Sequence, residues 1–283
     1  MDGRSHSLRG KLASRCILVE GDSQLVLVDT GFGLEDIAHP RPRLSKFFLA
    51  LLDPDFREEL TAVRQIEALG FSARDVRHIV LTHLDFDHAG GLDDFPEATV
   101  HMLESELADA VAQRSWLDRQ RYRPGQWRSH PRWTSYSHAD GELWFGFDAV
   151  RELRGVEPEV LLVPLLGHTL GHAGVAMRDG DGWCLLAGDA YFDHRELDFH
   201  NPRCTPGLAM YQRMMEKDRD ARLANQQRLR ELAHNHGDEV RVLCSHDPRE
   251  LERDAGRSLD EPVHAGLPLG QVIEMELQHR EHR

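Results

Sequence analysis

Four apolar runs in this chain each end in histidine or aspartate: IVLTHLDFDH (79–88), LLVPLLGHTLGH (161–172), CLLAGDA (184–190) and VLCSHD (242–247). The apolar parts are short and rich in Ile, Leu and Val, which reads as buried strands. Strand ends are rigid and lie at one edge of a sheet. Side chains placed there converge in space although they are far apart in sequence, which a preorganised metal site requires. A fold compatible with this chain must bring four strand ends to one edge.

The rest of the chain is consistent with such a scaffold. RCILVEGDSQLVLVDTG reads as two strands about the turn Gly21-Asp22-Ser23, the second ending at Asp29-Thr30-Gly31. PDFREELTAVRQIEALG (54–70) reads as a helix capped by Asp55 and stopped by Gly70. A short strand follows over 79–82, then a strand at ATVHML and a helix at ESELADAVAQR. LSKFFLALL (44–52) reads as a buried helix, a lid or a dimer contact. Residues 115–140 read as a long irregular stretch, and 208–236 as mostly helical. Mixed strands and helices without strict alternation give an α+β class. The chain, residues 1–283, is expected to form one domain.

Composition narrows the function. The net charge of −14 argues against a general nucleic-acid binder, which needs a basic surface. No run reaches the roughly 18 apolar residues of a membrane span, and the N-terminus lacks the apolar core of a signal peptide. The expectation is a cytoplasmic protein with no membrane partner. Cys16, Cys184, Cys204 and Cys244 form no CxxC pair and are expected to be unbridged.

The densest cluster is HLDFDH. Thr82, His83, Asp85, Asp87 and His88 put five polar residues into seven, and burying them without a cation is costly. With His168, Asp189 and His246 the strand ends offer seven ligands: His83, Asp85, Asp87, His88, His168, Asp189 and His246. That is too many for one tetrahedral ion and suits two. His172 reads as support for the turn before the next strand, His101 as structural, and His194 is left open.

These motifs resemble the metallo-β-lactamase superfamily. HLDFDH resembles the first motif, His-x-His-x-Asp-His, GHTLGH the second histidine motif, AGDA the bridging aspartate and SHD the last histidine. The resemblance, from about Cys16 to His246, implies a four-layer αββα sandwich with metals at one edge. It implies that His83 and His168 bind a first ion, that Asp87, His88 and His246 bind a second, and that Asp189 bridges. Asp29 and Thr82 would orient the loop. The departure is Asp85, which stands where the family has histidine. As a ligand it adds a third carboxylate, lowers the net charge of the centre, and makes Mn or Fe acceptable beside Zn; the alternative is that its shorter side chain does not reach the ion and only hydrogen-bonds.

Such a centre makes hydroxide available near neutral pH. The resemblance is greatest to the quorum-quenching lactonase and esterase branch. It implies a metal-bound hydroxide attacking a lactone or ester carbonyl, acyl-homoserine lactones among the candidates, with Asp87 carrying the proton. Tyr191 is the candidate for polarising the carbonyl, although the lactonases place their tyrosine one residue later, where this chain has Phe192. Trp116, Tyr122, Trp127 and Trp133 are candidate walls of an acyl pocket. The alternatives are a phosphodiester or phosphotriester hydrolase, with Arg121, Arg123 and Arg128 as phosphate contacts, and a diiron redox protein. A small-molecule substrate is expected, and a homodimer is left open.

Overall fold

The computed structural model of the chain describes residues 11–138, 141–157, 159–256 and 273–276. Its strands are β1 (Cys16–Glu20), β2 (Leu25–Val28), β3 (Val76–Val80), β4 (Thr99–Leu103), β5 (Trp133–Tyr136), β6 (Glu142–Trp144), β7 (Phe147–Glu152), β8 (Val160–Pro164), β9 (Ala173–Asp179), β10 (Gly182–Leu186), β11 (Val240–Leu243) and β12 (Ile273–Glu276). They form two six-stranded sheets, in the orders β12-β1-β2-β3-β4-β5 and β11-β10-β9-β8-β7-β6.

Alternation along the strands explains the layering. In β1, Ile17 and Val19 face the same apolar cluster as Val26, Val28, Leu162, Val175 and Leu186, so this cluster lies between the two sheets. Cys16 and Leu18 point the other way, against Val63 and Ile66 of the helix Ala62–Ala68. The second sheet repeats the pattern. Val163, Ala176 and Leu185 turn outward against Leu229 and Leu232 of the helix Arg219–Asn235. Successive side chains on a strand point to opposite faces, so a strand apolar on both faces must be covered on both. The result is helix, sheet, sheet, helix.

The directions of the strands place the site. β2 and β3 are parallel in the first sheet, and in the second β10 is parallel to β11 while β8 and β10 are both antiparallel to β9. The C-terminal ends of β8, β10 and β11 therefore share an edge. The amide of Ala173 donates to Thr82 O, tying the loop before β9 to the end of β3.

Three local expectations change. The helix expected from Asp55 starts at Ala62, capped by the Thr61 hydroxyl, after a short 3-10 turn at Glu58–Leu60. The stretch 115–140 is not irregular: it carries helices at Trp116–Arg121 and Pro124–Trp127 and the edge strand β5. The helical span 208–236 is two helices, Pro206–Met215 and Arg219–Asn235, each capped by its own side chain, Thr205 and Asp218. LSKFFLALL contains the helix Lys46–Leu52, with Phe48 buried and Leu51 exposed. Among the described residues no helix is long and apolar enough to cross a membrane. The C-terminal EHR (281–283), which reads from the sequence as a solvated tail, lies outside the described residues.

Candidate metal centre

Histidines and aspartates from four strand ends meet at this edge. Three groups of these residues have ligand atoms that all lie within 4.8 Å of one another: His83, Asp85 and His168; His83, His88 and Asp189; and Asp87, His88 and His246; a fourth such group, Asp193, His194 and Asp247, shares no residue with them. All seven sequence-expected ligands are brought together. All but Asp87 are at most 3% exposed, and the Asp87 side chain keeps 13%.

The imidazoles are oriented by their second nitrogens. Asp29 accepts from both the amide and the hydroxyl of Thr82, each at 2.8 Å, and its Oδ2 lies 2.8 Å from His88 Nδ1. With its proton committed to Asp29, the Thr82 oxygen is left to accept from His83 Nδ1 at 2.9 Å. His246 Nδ1 donates to Ala13 O at 2.6 Å. Each of these three rings is thus held through Nδ1, and each turns its Nε2 toward the cluster.

That arrangement is a test of whether a metal fits. His88 Nε2 and His246 Nε2 lie 3.3 Å apart, and Asp189 Oδ1 lies 3.3 and 2.9 Å from them. His83 Nε2 and Asp189 Oδ1 are buried with no hydrogen-bond partner. Buried polar atoms in that state are costly, and a shared cation relieves all of them. The nitrogen and oxygen donors suit a divalent transition ion.

The field of the cluster agrees. Burial opposes ionisation of Asp189, but His246, His88 and His168 hold its carboxyl well below the usual range. Burial likewise opposes protonation of His88, yet Asp189, Asp29 and Asp87 push its pKa well above the usual value. Burial first, then Asp189 and Asp85, raise the pKa of Asp87, with His88 and His246 opposing. His172 stays neutral, burial driving its pKa down to about 3. It donates from Nδ1 to Leu165 O and accepts the Asp189 amide on Nε2, so it fixes the aspartate without joining the group. Gly188 has φ +56°, and a Cβ there would meet His172 Nε2 at 2.6 Å. Glycine alone accommodates both constraints.

The sequence reading missed one partner. Asp85 is held by Arg121, whose Nε and Nη2 donate to the two carboxylate oxygens at 2.6 Å each, and both side chains are buried. Nothing in the spacing links position 121 to position 85. The only hint in the sequence is that an additional buried carboxylate requires a cation. Arg121 is therefore not a surface phosphate contact. Arg123 is engaged as well, on the carbonyls of Arg43, Arg119 and Pro42.

Tyr191 is not brought to the cluster. Its hydroxyl donates to Glu250 at 3.0 Å, and its ring packs in the outer cluster with Ala187, Leu229 and Cys244. Phe192 faces the site instead, stacked on His246 with centroids 5.0 Å apart. A phenol reaches the region from another element. Tyr211, on the helix Pro206–Met215, packs edge-on against Phe192, and burial first, then Asp87, Asp189 and Asp85, raise its pKa well above the usual value. Among the described residues its hydroxyl makes no hydrogen bond.

An apolar cluster packs against the site through Phe192. Phe86, lying between two of the metal-loop aspartates, packs on Phe48, and the cluster continues through Leu44, Phe192, Leu208 and Tyr211. Of the four aromatics expected to line a pocket, only Trp116 joins this side, edge-on to Phe47. Tyr122, Trp127 and Trp133 belong to the core beneath the first sheet. His194 pairs with Asp247 at 2.7 Å, and His101 bonds His78 and Tyr136, away from the cluster.

With this fold and this cluster, the chain belongs to the metallo-β-lactamase superfamily, whose family model matches residues 9–233. The match stops before β11, so His246 enters the centre on geometry. The chain is 43% identical over 250 residues to the probable metallo-hydrolase Rv2300c of Mycobacterium tuberculosis, covering 86% of this chain and 78% of that one. It is 30% identical to the N-acyl homoserine lactonase AttM of Azorhizobium caulinodans, covering 69% and 67%. Among solved structures, a Bacillus thuringiensis AiiA mutant with N-decanoyl-L-homoserine bound at its active site superposes with a TM-score of 0.60 at 21% identity, covering 84% and 82%. The dizinc lactonase AidC gives 0.55 at 18% identity, covering 83% and 72%. The chain is an α+β metallo-hydrolase of this superfamily.

Proposed function

We propose that the protein opens lactones or simple esters that carry an apolar acyl group, acyl-homoserine lactones being the first candidates. The observation that carries this reading is the juxtaposition of two features. One is a buried nest of oriented imidazoles and carboxylates. The other is the buried aromatic and aliphatic cluster of Phe48, Phe86, Phe192, Leu208 and Tyr211, which packs against it through Phe192. AttM, a relative at 30% identity, is an N-acyl homoserine lactonase.

Asp87, His88, His246 and Asp189 are the residues proposed to hold a divalent ion, Zn first, with Mn or Fe acceptable to the oxygen donors. Such an ion supplies a nucleophile from water near neutral pH and polarises a carbonyl. Asp87 is suited to take the proton and return it to the leaving alkoxide, because its side chain is the most exposed of the ligand carboxylates, 13% against 5% for Asp189. Burial raises its pKa, which matches that task. The Tyr211 hydroxyl, whose ring packs edge-on against Phe192, is the candidate donor to the carbonyl oxygen, and the apolar cluster is the candidate seat of the acyl chain.

The test is proton release from lactones, esters and phosphotriesters after chelation and reconstitution with Zn, Mn or Fe separately. The reading predicts metal-dependent opening of lactones with apolar acyl chains, lost in His88→Ala. Turnover confined to phosphotriesters would replace it with the phosphoryl reading.

A further inference from the structure

Asp85 differs from the other carboxylates of the cluster in what faces it. The ion pairs of Asp87 and Asp189 among the described residues are with histidines alone. Asp85 has a guanidinium on both oxygens. We propose that Arg121 stands in for the first of the two ions, so that the chain holds one divalent ion, on Asp87, His88, His246 and Asp189. This rests on the reading above that the cluster is a metal centre.

The geometry is specific. Arg121 is fully buried on the helix Trp116–Arg121. Its Nη2 lies 2.6 Å from Asp85 Oδ2 and 2.8 Å from His168 Nε2, which are themselves 3.0 Å apart. One guanidinium nitrogen thus touches two of the three donors of the first group. The remaining nitrogen, Nη1, donates to Met215 O at 2.6 Å, so the side chain is held at both ends of its fork. Asp85 is fixed from behind as well, by a backbone bridge to Tyr122. An ion bound to Asp85 and His168 would sit about 2.0–2.2 Å from each donor. It would lie beside a cation already hydrogen-bonded to both, where all three side chains are buried and the repulsion is poorly screened.

Charge counting points the same way. Arg121 cancels Asp85. Of the ligand carboxylates, Asp87 and Asp189 are left to balance one divalent ion, with Asp29 behind His88 as a further buried carboxylate. A second ion would leave uncompensated positive charge in a buried cluster. His83, which belongs to two of the three groups, keeps its Nε2 available to the remaining ion or to a substrate oxygen.

The experiment is metal stoichiometry on the full chain. The chelator-stripped protein is titrated with Zn or Mn by equilibrium dialysis, with metal counted by mass spectrometry and the site followed by the visible spectrum of Co(II). The wild-type protein is expected to saturate at one ion per chain. His168→Ala should keep that ion with affinity within about threefold, whereas His246→Ala should lose it by roughly 100-fold or more. Asp85→His combined with Arg121→Met, folded by circular dichroism, should gain a second ion. Two ions of comparable affinity in the wild type would overturn the proposal, as would loss of the ion in His168→Ala or a folded double variant that stays at one. The wild-type count decides even where the double variant does not fold. Two ions with lactone turnover would overturn this inference and leave the hydrolase reading intact. One ion without lactone or ester turnover would do the reverse.

Discussion

Replacing Arg121 by methionine should be among the most destabilising single changes near the site. The pair is fully buried, and each carboxylate oxygen of Asp85 accepts at 2.6 Å. Methionine removes the charge and nearly fills the volume, so the cost comes mainly from an uncompensated buried carboxylate, about 3–5 kcal/mol. Urea unfolding of the metal-stripped protein, followed by circular dichroism, measures it. Asp85→Asn alone leaves the guanidinium buried and should cost a similar amount. The double variant removes both charges and should recover about 2–3 kcal/mol relative to the sum of the singles. The pH dependence has a definite sign. Burial opposes ionisation of Asp85, but Arg121 and then His83 hold its folded pKa well below the usual value. Its contribution is therefore present above the unfolded pKa, about 3.9, and is lost as pH falls through the folded value. In Arg121→Met that acid-side loss should shrink. A single variant within about 1 kcal/mol of wild type, or singles that simply add, would refute the argument that the pair is formed and buried.

Tyr211→Phe should lower kcat about tenfold, the worth of one hydrogen bond made in the transition state, with metal content unchanged by mass spectrometry. Leu229→Ala, at 0% exposure beneath the second sheet, should cost about 2–5 kcal/mol in urea unfolding without altering metal stoichiometry. Glu106 accepts from the Leu84 amide inside the metal loop, and burial raises its pKa to about 7. Its folded pKa lies above the unfolded one, so wild-type stability should fall by up to about 3 kcal/mol between roughly pH 4.5 and 7. Glu106→Gln should lose that slope in the metal-stripped protein, seen as unfolding midpoints that no longer decline over the window.

Much of the centre was legible because its donors follow apolar runs directly. Each run forms a strand on local grounds, and the polar residue that ends it must lie at the sheet edge, so convergence of His83, His168, Asp189 and His246 followed from pattern. The β1–β2 hairpin was readable for the same reason. The segment 115–140 was not, because its helices are short and mostly polar. They are set by tertiary contacts such as Tyr122 on Asp109 and Arg121 on Asp85. Tyr191 failed through a register of one. Beyond the end of β10 one residue turns into the outer core and the next faces the site, and only the three-dimensional path of the loop decides which. Tyr211 was hidden because nothing in its own helix marks it, its position being fixed by packing on Phe192.

The most direct test of the account is a titration of the chelator-stripped protein with Zn or Mn while acid release from an acyl-homoserine lactone is followed. The account predicts no turnover without metal, activity that rises with bound ion, and no recovery at any metal concentration in His88→Ala. Lactone opening that survives complete removal of metal, or that persists in His88→Ala, would contradict it.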